Sequence, residues 1–375
     1  MMLRDQFPIF EHTHFINSCS KGALSLSVKA AYERYLEDWA VQGSPWELWV
    51  TQLEIFRSKV ATLIHADPDE IAIKTSVSDA VNALASALDF SGERNKIIVD
   101  EYAFPTTAQI WHAQAKYGAK VVHIRETEEH QLPLSYYESV IDEQTLLVSL
   151  TQICYRHGGR QAEVEAIVKL AHEHGALVLL DSFQGLGTFP IDVTALDIDF
   201  LVGGTLKYLL GSSGLAFLYA KQAHTLSHSP SATGWFAQAD IFAMDINAHV
   251  PAPSARRFES GTPPNPNIYA GIAGLDIISG IGINAIEIQI NTITDAIKQR
   301  ANDAGYKIAT PAQHGAMVAI QCHDVESMVT ALATENVIVS SRDGNLRISP
   351  HFYNDLSDVD ALFAGLTKYR QFVTG

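Results

Sequence analysis

Residues 171–214 read AHEHGALVLLDSFQGLGTFPIDVTALDIDFLVGGTLKYLLGSSG, and they contain two apolar runs that end in polar side chains. The first run, 176–181, ends at Asp181, and the second, 199–204, is followed closely by Lys207. Runs that are apolar throughout indicate strands buried on both faces of a sheet. Lys207 is therefore either a surface lysine at the mouth of a loop or a lysine held inside for chemistry.

The same alternation extends on both sides of this stretch. Short apolar runs alternate with amphipathic stretches, which predicts a mostly parallel sheet buried between helices. The predicted strands are 71–74, 96–100, 119–124, 145–150, 176–181, 199–204 and 215–220. A helix is predicted at about 105–117, and another ends at Gly175, a typical C-cap. The predicted class is α/β.

The chain changes character near residues 251–268, where proline, glycine and polar residues predict a surface crossing between two units. A helix-rich segment, 269–303, follows, and then short strands such as 317–322 and 346–349. We therefore predict three parts. They are an N-terminal segment (1–15) against the small domain or the surface, a large domain (16–255) and a small α+β domain (256–375).

Composition limits the possible partners and location. The net charge is −16, which disfavours nucleic acid and anionic membranes as partners, since both require a basic face. The three cysteines have neither disulfide nor metal-site spacing, and no segment resembles a signal peptide or a membrane span. His172 and His174 share a helix but lack a third ligand, so no metal site is predicted. We expect a soluble cytoplasmic protein.

Three polar groups follow predicted strands, where ligands bind in open parallel sheets. Ser76 and Ser78, in TSVSDA, are either an anion site at a helix N-terminus or a plain N-cap. Asp181 either binds a cationic ring nitrogen, with Gln184 nearby, or caps the next short helix. Lys207 is either a Schiff-base nucleophile or a surface residue.

The combination favours pyridoxal 5′-phosphate (PLP), which needs a phosphate cradle, an acid beside its ring nitrogen and a lysine for its aldehyde. The alternative for such a sheet is a nicotinamide enzyme. No G-x-G-x-x-G motif follows the first strand, which disfavours it.

Five motifs in order resemble class V of the fold-type I PLP-dependent enzymes, a family of aminotransferases, cysteine desulfurases, isopenicillin-epimerase-like proteins and kynureninases. The resemblance covers most of the chain and implies that family's fold, with a large PLP-binding domain and a small C-terminal domain. The motifs are the Asp181–Gln184–Lys207 core, EYAFPTT (101–107), TQICYRHGG (151–159), RRFESGTP (256–263) and LRISPHFYN (346–354).

The resemblance assigns a cofactor-binding set in this sequence. Lys207 and Asp181 are the implied catalytic residues. The implied cofactor-binding residues are Ser76, Val77, Ser78, Phe104, Asp181, Gln184, Thr205, Lys207 and Thr262. Leu206 stands where many relatives carry histidine or another polar residue, which removes one phosphate contact.

Other roles follow from the same resemblance. Phe104 covers the ring face, or is a core aromatic. Thr262 reaches the phosphate of a neighbouring subunit, which implies a homodimer, or is a turn residue. Arg347 pairs with a substrate carboxylate, or forms a structural salt bridge. Asn17 lines the substrate pocket, and Tyr155 lies near the cofactor edge.

The reaction predicted is amino-group transfer from an amino acid to a keto acid. A desulfurase that forms a persulfide needs a cysteine shortly before Arg347, and residues 335–347 contain none. Kynureninases usually carry a tyrosine before the lysine, where this chain has Leu206. A lyase, epimerase or hydrolase on the same scaffold, and a catalytically inactive homologue, remain alternatives.

Overall fold

The computed structural model describes residues 3–375, and its regular elements alternate as the sequence predicts. The helices are α1 (Leu26–Gln42), α2 (Trp46–Ile64), α3 (Val77–Ala85), α4 (Pro105–Ala113), α5 (Leu134–Glu138), α6 (Val164–Glu173), α7 (Gln222–Thr225), α8 (Asn265–Ile281), α9 (Ile283–Asp303), α10 (Val325–Thr334) and α11 (Leu356–Lys368). The strands are β1 (His14–Phe15), β2 (Ile71–Lys74), β3 (Lys96–Asp100), β4 (Lys120–Ile124), β5 (Thr145–Thr151), β6 (Leu177–Asp181), β7 (Phe200–Gly204), β8 (Ala216–Ala220), β9 (Val318–Gln321), β10 (Val337–Ile338), β11 (Ser340–Arg342) and β12 (Asn345–Ile348).

The large sheet has seven strands in the order β2-β8-β7-β6-β5-β3-β4. All neighbours pair in parallel except that β8 runs antiparallel to both β2 and β7. The predicted mostly parallel sheet is confirmed, and each of its seven strands lies within one residue of its predicted bounds. Thr151 pairs with Asp181, so the carboxyl ends of β5 and β6 lie side by side.

Both faces of this sheet are covered, which explains its continuous apolar runs. Along β3, Ile98 belongs to the core that contains α2 and α6, whereas Ile97 and Val99 belong to the core that contains α3 and α4. Strand residues alternate between faces, so the central positions of a strand covered on both sides are apolar whichever face they point to, as at 97–99 of β3.

The C-terminal part has its own antiparallel sheet, in the order β11-β12-β9. Its core is shared with α9, α10 and α11. Helix α8 instead shares apolar cores with α1 and α2. The domain boundaries given above remain a prediction.

The N-terminal segment contacts the C-terminal part through an ion pair between side chains and through a pair of strands. Arg4 donates to both oxygens of the Asp358 carboxylate at 2.6 and 2.7 Å, and β1 pairs with β10. Residues 1 and 2 of the predicted N-terminal segment lie outside the described residues.

Within residues 3–375 no single helix combines the length and apolarity needed to cross a membrane. The helices α8 and α9 meet that test only together, as a pair bent by 81°.

Candidate active site

A cavity of about 250 Å³ opens at the carboxyl ends of the large sheet. Eight of the predicted site residues line it: Ser76, Val77, Ser78, Phe104, Tyr155, Asp181, Gln184 and Lys207. Four others, Asn17, Thr205, Thr262 and Arg347, are not among its lining residues. The structure therefore brings together most of the predicted side chains, and the four exceptions are described in turn below.

Lys207 lies on the loop after β7, and its side chain points into the cavity. Its Nζ is 4.7 Å from the centre of the Phe183 ring. Burial lowers the pKa of Lys207 to about 8, although Cys19 and Asp181 oppose the shift. At pH 7 roughly one Lys207 amine in ten is then uncharged, against fewer than about one in a thousand for an ordinary lysine. An uncharged amine is a nucleophile and a base.

The loop that carries Lys207 is held by close backbone contacts. Gly22 N donates to Leu206 O at 3.0 Å, and a Cβ at Gly22 would lie 2.3 Å from Lys207 O. Thr205 Oγ1 donates to Ser212 O at 2.9 Å and is fully buried. The Thr205 hydroxyl thus closes its own loop and does not face the cavity.

His351 forms a hydrogen bond that holds the backbone of Tyr208, the residue after Lys207. Its Nε2 donates to Tyr208 O at 2.8 Å, and Phe352 N donates to its Nδ1, also at 2.8 Å. The ring is fully buried, and burial lowers the pKa of His351 to about 4. Because Nδ1 accepts a backbone proton, the neutral imidazole is the form that fits.

His351 should make the fold sensitive to acid. Between pH 6.5, its ordinary pKa, and about 4, the unfolded chain binds a proton that the folded chain does not. The free energy of unfolding therefore decreases as the pH falls through this window, by about 3 kcal/mol in all from His351. Urea unfolding of the cofactor-free protein at several pH values measures the loss. His351→Gln should show a shallower decline, and equal slopes for the two proteins would contradict this assignment.

Asp181 ends β6 at the floor of the cavity. Burial raises the pKa of Asp181, while Phe183 N (donating at 3.0 Å), Lys207 and Thr107 lower it. The neighbouring Asp100 is also buried, and burial raises its pKa to about 7. A cation bound in the cavity beside Asp181 would favour its carboxylate, so the site suits a positively charged ring nitrogen.

One wall of the cavity is the N-terminus of α3. Ser76 is its N-cap, and its Oγ accepts from Asp79 N at 3.0 Å. The N–H groups of Val77 and Ser78 have no hydrogen-bond partner within the described part of the chain. Unpaired N–H groups at a helix N-terminus suit a phosphate. Ser76 can therefore cap α3 while the N–H groups of Val77 and Ser78 bind an anion, so the two expectations for this loop are compatible.

Phe104 and Tyr155 form an aromatic wall. Their ring centres are 5.0 Å apart and their planes meet at 74°. Phe104 is 46% exposed, so it is not a core aromatic. It is available to cover a flat ring bound over Asp181.

Arg347, on β12, lies behind Tyr155 and is almost fully buried. It donates to Tyr155 O at 2.8 Å, to Ser340 Oγ at 3.0 Å and to Ser20 Oγ at 3.3 Å. Its Nε is buried without a hydrogen-bond partner, and no ion pair to Arg347 occurs in residues 3–375. The alternative of a structural salt bridge is thus not seen. A buried guanidinium without a carboxylate suits a carboxylate ligand.

Gln184 connects this end of the site to residues 17–20, which follow β1. Its Nε2 donates to Cys19 O at 3.1 Å, while its Oε1 is buried without a partner. Cys19 Sγ in turn contacts Asn17 Oδ1 at 3.9 Å and Ser340 Oγ at 3.8 Å. Asn17 therefore lies beside the residues that surround Arg347, outside the cavity lining itself.

Thr262 lies on an exposed loop away from the cavity of its own chain. A Cβ at the adjacent Gly261 would have nothing within 4 Å.

Residues that contribute to the site but were not predicted from the sequence include Cys19, Thr107, Phe183 and Ser340. Thr107 and Phe183 stand next to predicted residues, in FPTT and DSFQ, so proximity in the sequence was an available signal. Ser340 has no such signal, because only the pairing of β11 with β12 brings it opposite Arg347.

A separate cluster, Glu126, His130 and His157, places three possible metal ligands within 4.8 Å of one another. Gly159 N donates to His157 Nδ1 at 3.1 Å, so the ring proton is on Nε2, which lies 2.8 Å from Glu126 Oε2. Arg156 also donates to Glu126, at 3.0 Å. A metal on His157 Nε2 would require a proton on Nδ1, facing the Gly159 N–H, so the hydrogen bonds of His157 do not suit a metal ligand.

Sequence comparison identifies relatives over nearly the whole chain. The chain is 34% identical over 354 residues to an uncharacterized aminotransferase, YcbU, of Bacillus subtilis, covering 94% of this chain and 93% of that protein. It is 28% identical to a kynureninase of Deinococcus radiodurans, covering 83% and 77% of the two chains. It is also 28% identical to a probable cysteine desulfurase of Streptomyces coelicolor, covering 84% and 81%.

Solved structures share the fold. The apo cysteine desulfurase of Thermococcus onnurineus NA1 matches with a TM-score of 0.88 at 22% identity, covering 98% of this chain and 96% of that chain. A lysine mutant of C-DES, with glycine covalently linked to its PLP cofactor, matches with a TM-score of 0.90 at 18% identity, covering 98% and 99%. The predicted fold is confirmed by these matches.

The model of the family described as aminotransferase class-V matches residues 26–362, which include every residue found in the cavity. Enzymes of this family depend on PLP, and its members here include desulfurases and kynureninases as well as an aminotransferase. The chain belongs to the class V aminotransferase family.

Proposed function

We propose that this protein is a PLP-dependent aminotransferase that moves the amino group of an amino acid to a keto acid. The observation that carries the proposal is the amine of Lys207, whose pKa is lowered to about 8 by burial, in one cavity with the buried carboxyl of Asp181. A lysine amine and a ring-facing carboxylate are the two groups that PLP chemistry requires.

The residues present fit PLP. The free N–H groups of Val77 and Ser78 would bind its phosphate, Asp181 its ring nitrogen, and Lys207 its aldehyde carbon. Phe104 would cover one face of its ring. When bound, PLP supplies an electron-withdrawing ring that makes the substrate Cα proton removable.

The chain's own groups then divide the work. Lys207 Nζ would take the proton from the substrate Cα and return it during product formation. Arg347 would hold the substrate carboxylate through its unpartnered Nε, which fixes the Cα near Lys207. The rings of Phe104 and Tyr155 would limit the access of water.

We also propose a homodimer in the cytoplasm, with Thr262 reaching the phosphate site of the partner subunit. The exposed position of Thr262, which does not line the cavity of its own chain, supports this arrangement. The three free cysteines and the net charge of −16 support the location.

A persulfide-forming desulfurase is disfavoured by the thiols. Residues 335–347 carry no cysteine. Burial raises the pKa of Cys322 to about 11, which lowers its reactivity. Transamination is therefore preferred over sulfur transfer, and direct lyase chemistry is tested as an alternative outcome.

A panel of amino acids incubated with the purified holo-protein tests the function. With a second keto acid present, we expect one new amino acid for each keto acid formed, and conversion of the cofactor to its amine form when the acceptor is omitted. Release of ammonia and pyruvate, of sulfide or alanine, or racemisation without transfer would assign a different reaction and contradict the proposal. No turnover of any substrate would indicate an inactive homologue.

A further inference from the structure

Lys74, the last residue of β2, carries a buried ammonium group outside the cavity. The residue is 2% exposed, its Nζ donates to Phe258 O at 2.8 Å, and it pairs with Asp79 Oδ1 at 2.8 Å. An ion pair with a fully buried lysine is a costly way to join two segments, since apolar residues would often serve stability as well. Its position between two loops therefore calls for another explanation.

On one side, the pair closes the turn that begins α3. Asp79 Oδ2 accepts from Thr75 N at 3.0 Å and from Thr75 Oγ1 at 3.1 Å, and Asp79 N donates to Ser76 Oγ at 3.0 Å. The Asp79 carboxylate thus occupies the outer side of the helix N-terminus. The N–H groups of Val77 and Ser78 are left for the cavity.

On the other side, the pair holds the loop that leads to Thr262. Besides the bond from Lys74 to Phe258 O, Glu259 Oε1 accepts from Arg57 at 2.7 Å and from Ile73 N at 2.9 Å. Phe236 N donates to Ser260 O at 3.1 Å. The base of this loop is fixed on β2, whereas a Cβ at Gly261, near its tip, would have nothing within 4 Å.

We propose that Lys74 and Asp79 are positioning residues for phosphate: their ion pair fixes the N-terminus of α3 against the Phe258–Thr262 loop and aims the Val77 and Ser78 N–H groups into the cavity. The inference rests on the proposed function, because the phosphate belongs to PLP. Neither side chain lines the cavity, so each acts through the backbone that it holds.

The test compares PLP with pyridoxal, which lacks the phosphate. Apo-protein of the wild type, Lys74→Met and Asp79→Asn is titrated with each compound, and binding is followed by absorbance. We expect the Kd for PLP to rise about 10–100-fold in both variants, the range typical of residues that orient a binding group. The Kd for pyridoxal should stay within about twofold, since the lysine and carboxylate are untouched.

Lys96→Met is the matched control, because Lys96 forms a comparable ion pair with Asp142 at 2.8 Å. This pair lies at the first residue of β3, away from the carboxyl ends of the strands where the cavity opens. Asp79, which is partly exposed, provides the variant of choice if Lys74→Met does not fold. An unchanged Kd for PLP, or equal losses for PLP and pyridoxal, would overturn the positioning role. A wild-type protein that binds neither compound would refute the proposed function itself.

Discussion

Replacement of Lys207 by alanine should slow the exchange of the substrate Cα proton with solvent by about 10²–10⁴-fold, the usual contribution of a positioned acid–base group. No other amine is among the residues that line the cavity, and burial keeps this one partly uncharged at neutral pH by lowering its pKa to about 8. Proton NMR in D₂O measures the loss of the Cα–H signal.

Lys169→Ala provides the control, since Lys169 is exposed on α6 and pairs with Glu173 at 4.0 Å. Both variants should keep the wild-type circular dichroism spectrum, because the Lys207 side chain contributes to no ion pair in the described residues. Borohydride treatment of the wild type should fix the cofactor mass on the peptide that contains Lys207. Normal Cα–H exchange in Lys207→Ala, or cofactor fixed on another lysine, would show that a different group performs this step.

Much of the fold was predictable because the large sheet is covered on both faces. Strands such as 96–100 and 199–204 are apolar at their central positions, 97–99 and 200–202, and that pattern is visible in the sequence without further information. The antiparallel direction of β8 was not predictable in the same way, since its apolar run, 215–220, resembles those of the parallel strands. A short connection from β7 through the Lys207 loop decides its direction.

The site was predictable where its residues follow strands directly. Asp181 and the loop 75–78 lie at the edge of the sheet because the ends of parallel strands meet there. Thr205 has the same sequence context, yet its hydroxyl donates to Ser212 O. The sequence does not reveal which of two nearby polar side chains turns inward, because that depends on how the loop closes.

Residues that arrive from distant segments could not be derived from local pattern. Arg347 meets Ser20 and Tyr155 through β12 and the stretch that follows β1, so its environment depends on contacts that span 327 and 192 residues of sequence. Gly22 is similar, because only the close approach of Lys207 O explains why no side chain fits there. Family resemblance assigned a role to Arg347, whereas Gly22 carries no chemical group that would have drawn attention.

Replacement of Arg347 by alanine should raise the KM for amino-acid substrates by about 10–100-fold, because a hydrogen bond to a charged group contributes about 1.5–3 kcal/mol. The buried Nε has no partner, and no carboxylate neutralises the guanidinium in residues 3–375. A substrate carboxylate would accept the hydrogen bond from Nε and neutralise the charge. The KM of Arg347→Lys should fall between those of the wild type and Arg347→Ala, since lysine keeps the charge but loses the planar guanidinium geometry. Steady-state kinetics with an amino acid, and with an amine of the same side chain that lacks the carboxylate, measure the effect.

The comparison of the two substrates separates carboxylate binding from general damage to the site. If Arg347 binds the carboxylate, Arg347→Ala should raise the KM for the amino acid and leave the KM for the amine nearly unchanged, because the amine has no carboxylate for the guanidinium to bind. Arg342→Ala is the control on the same hairpin, since Arg342 is exposed at the end of β11. Equal losses for the two substrates would indicate that Arg347 only holds Tyr155 and Ser340 in place. An unchanged KM for the amino acid would remove it from the substrate site.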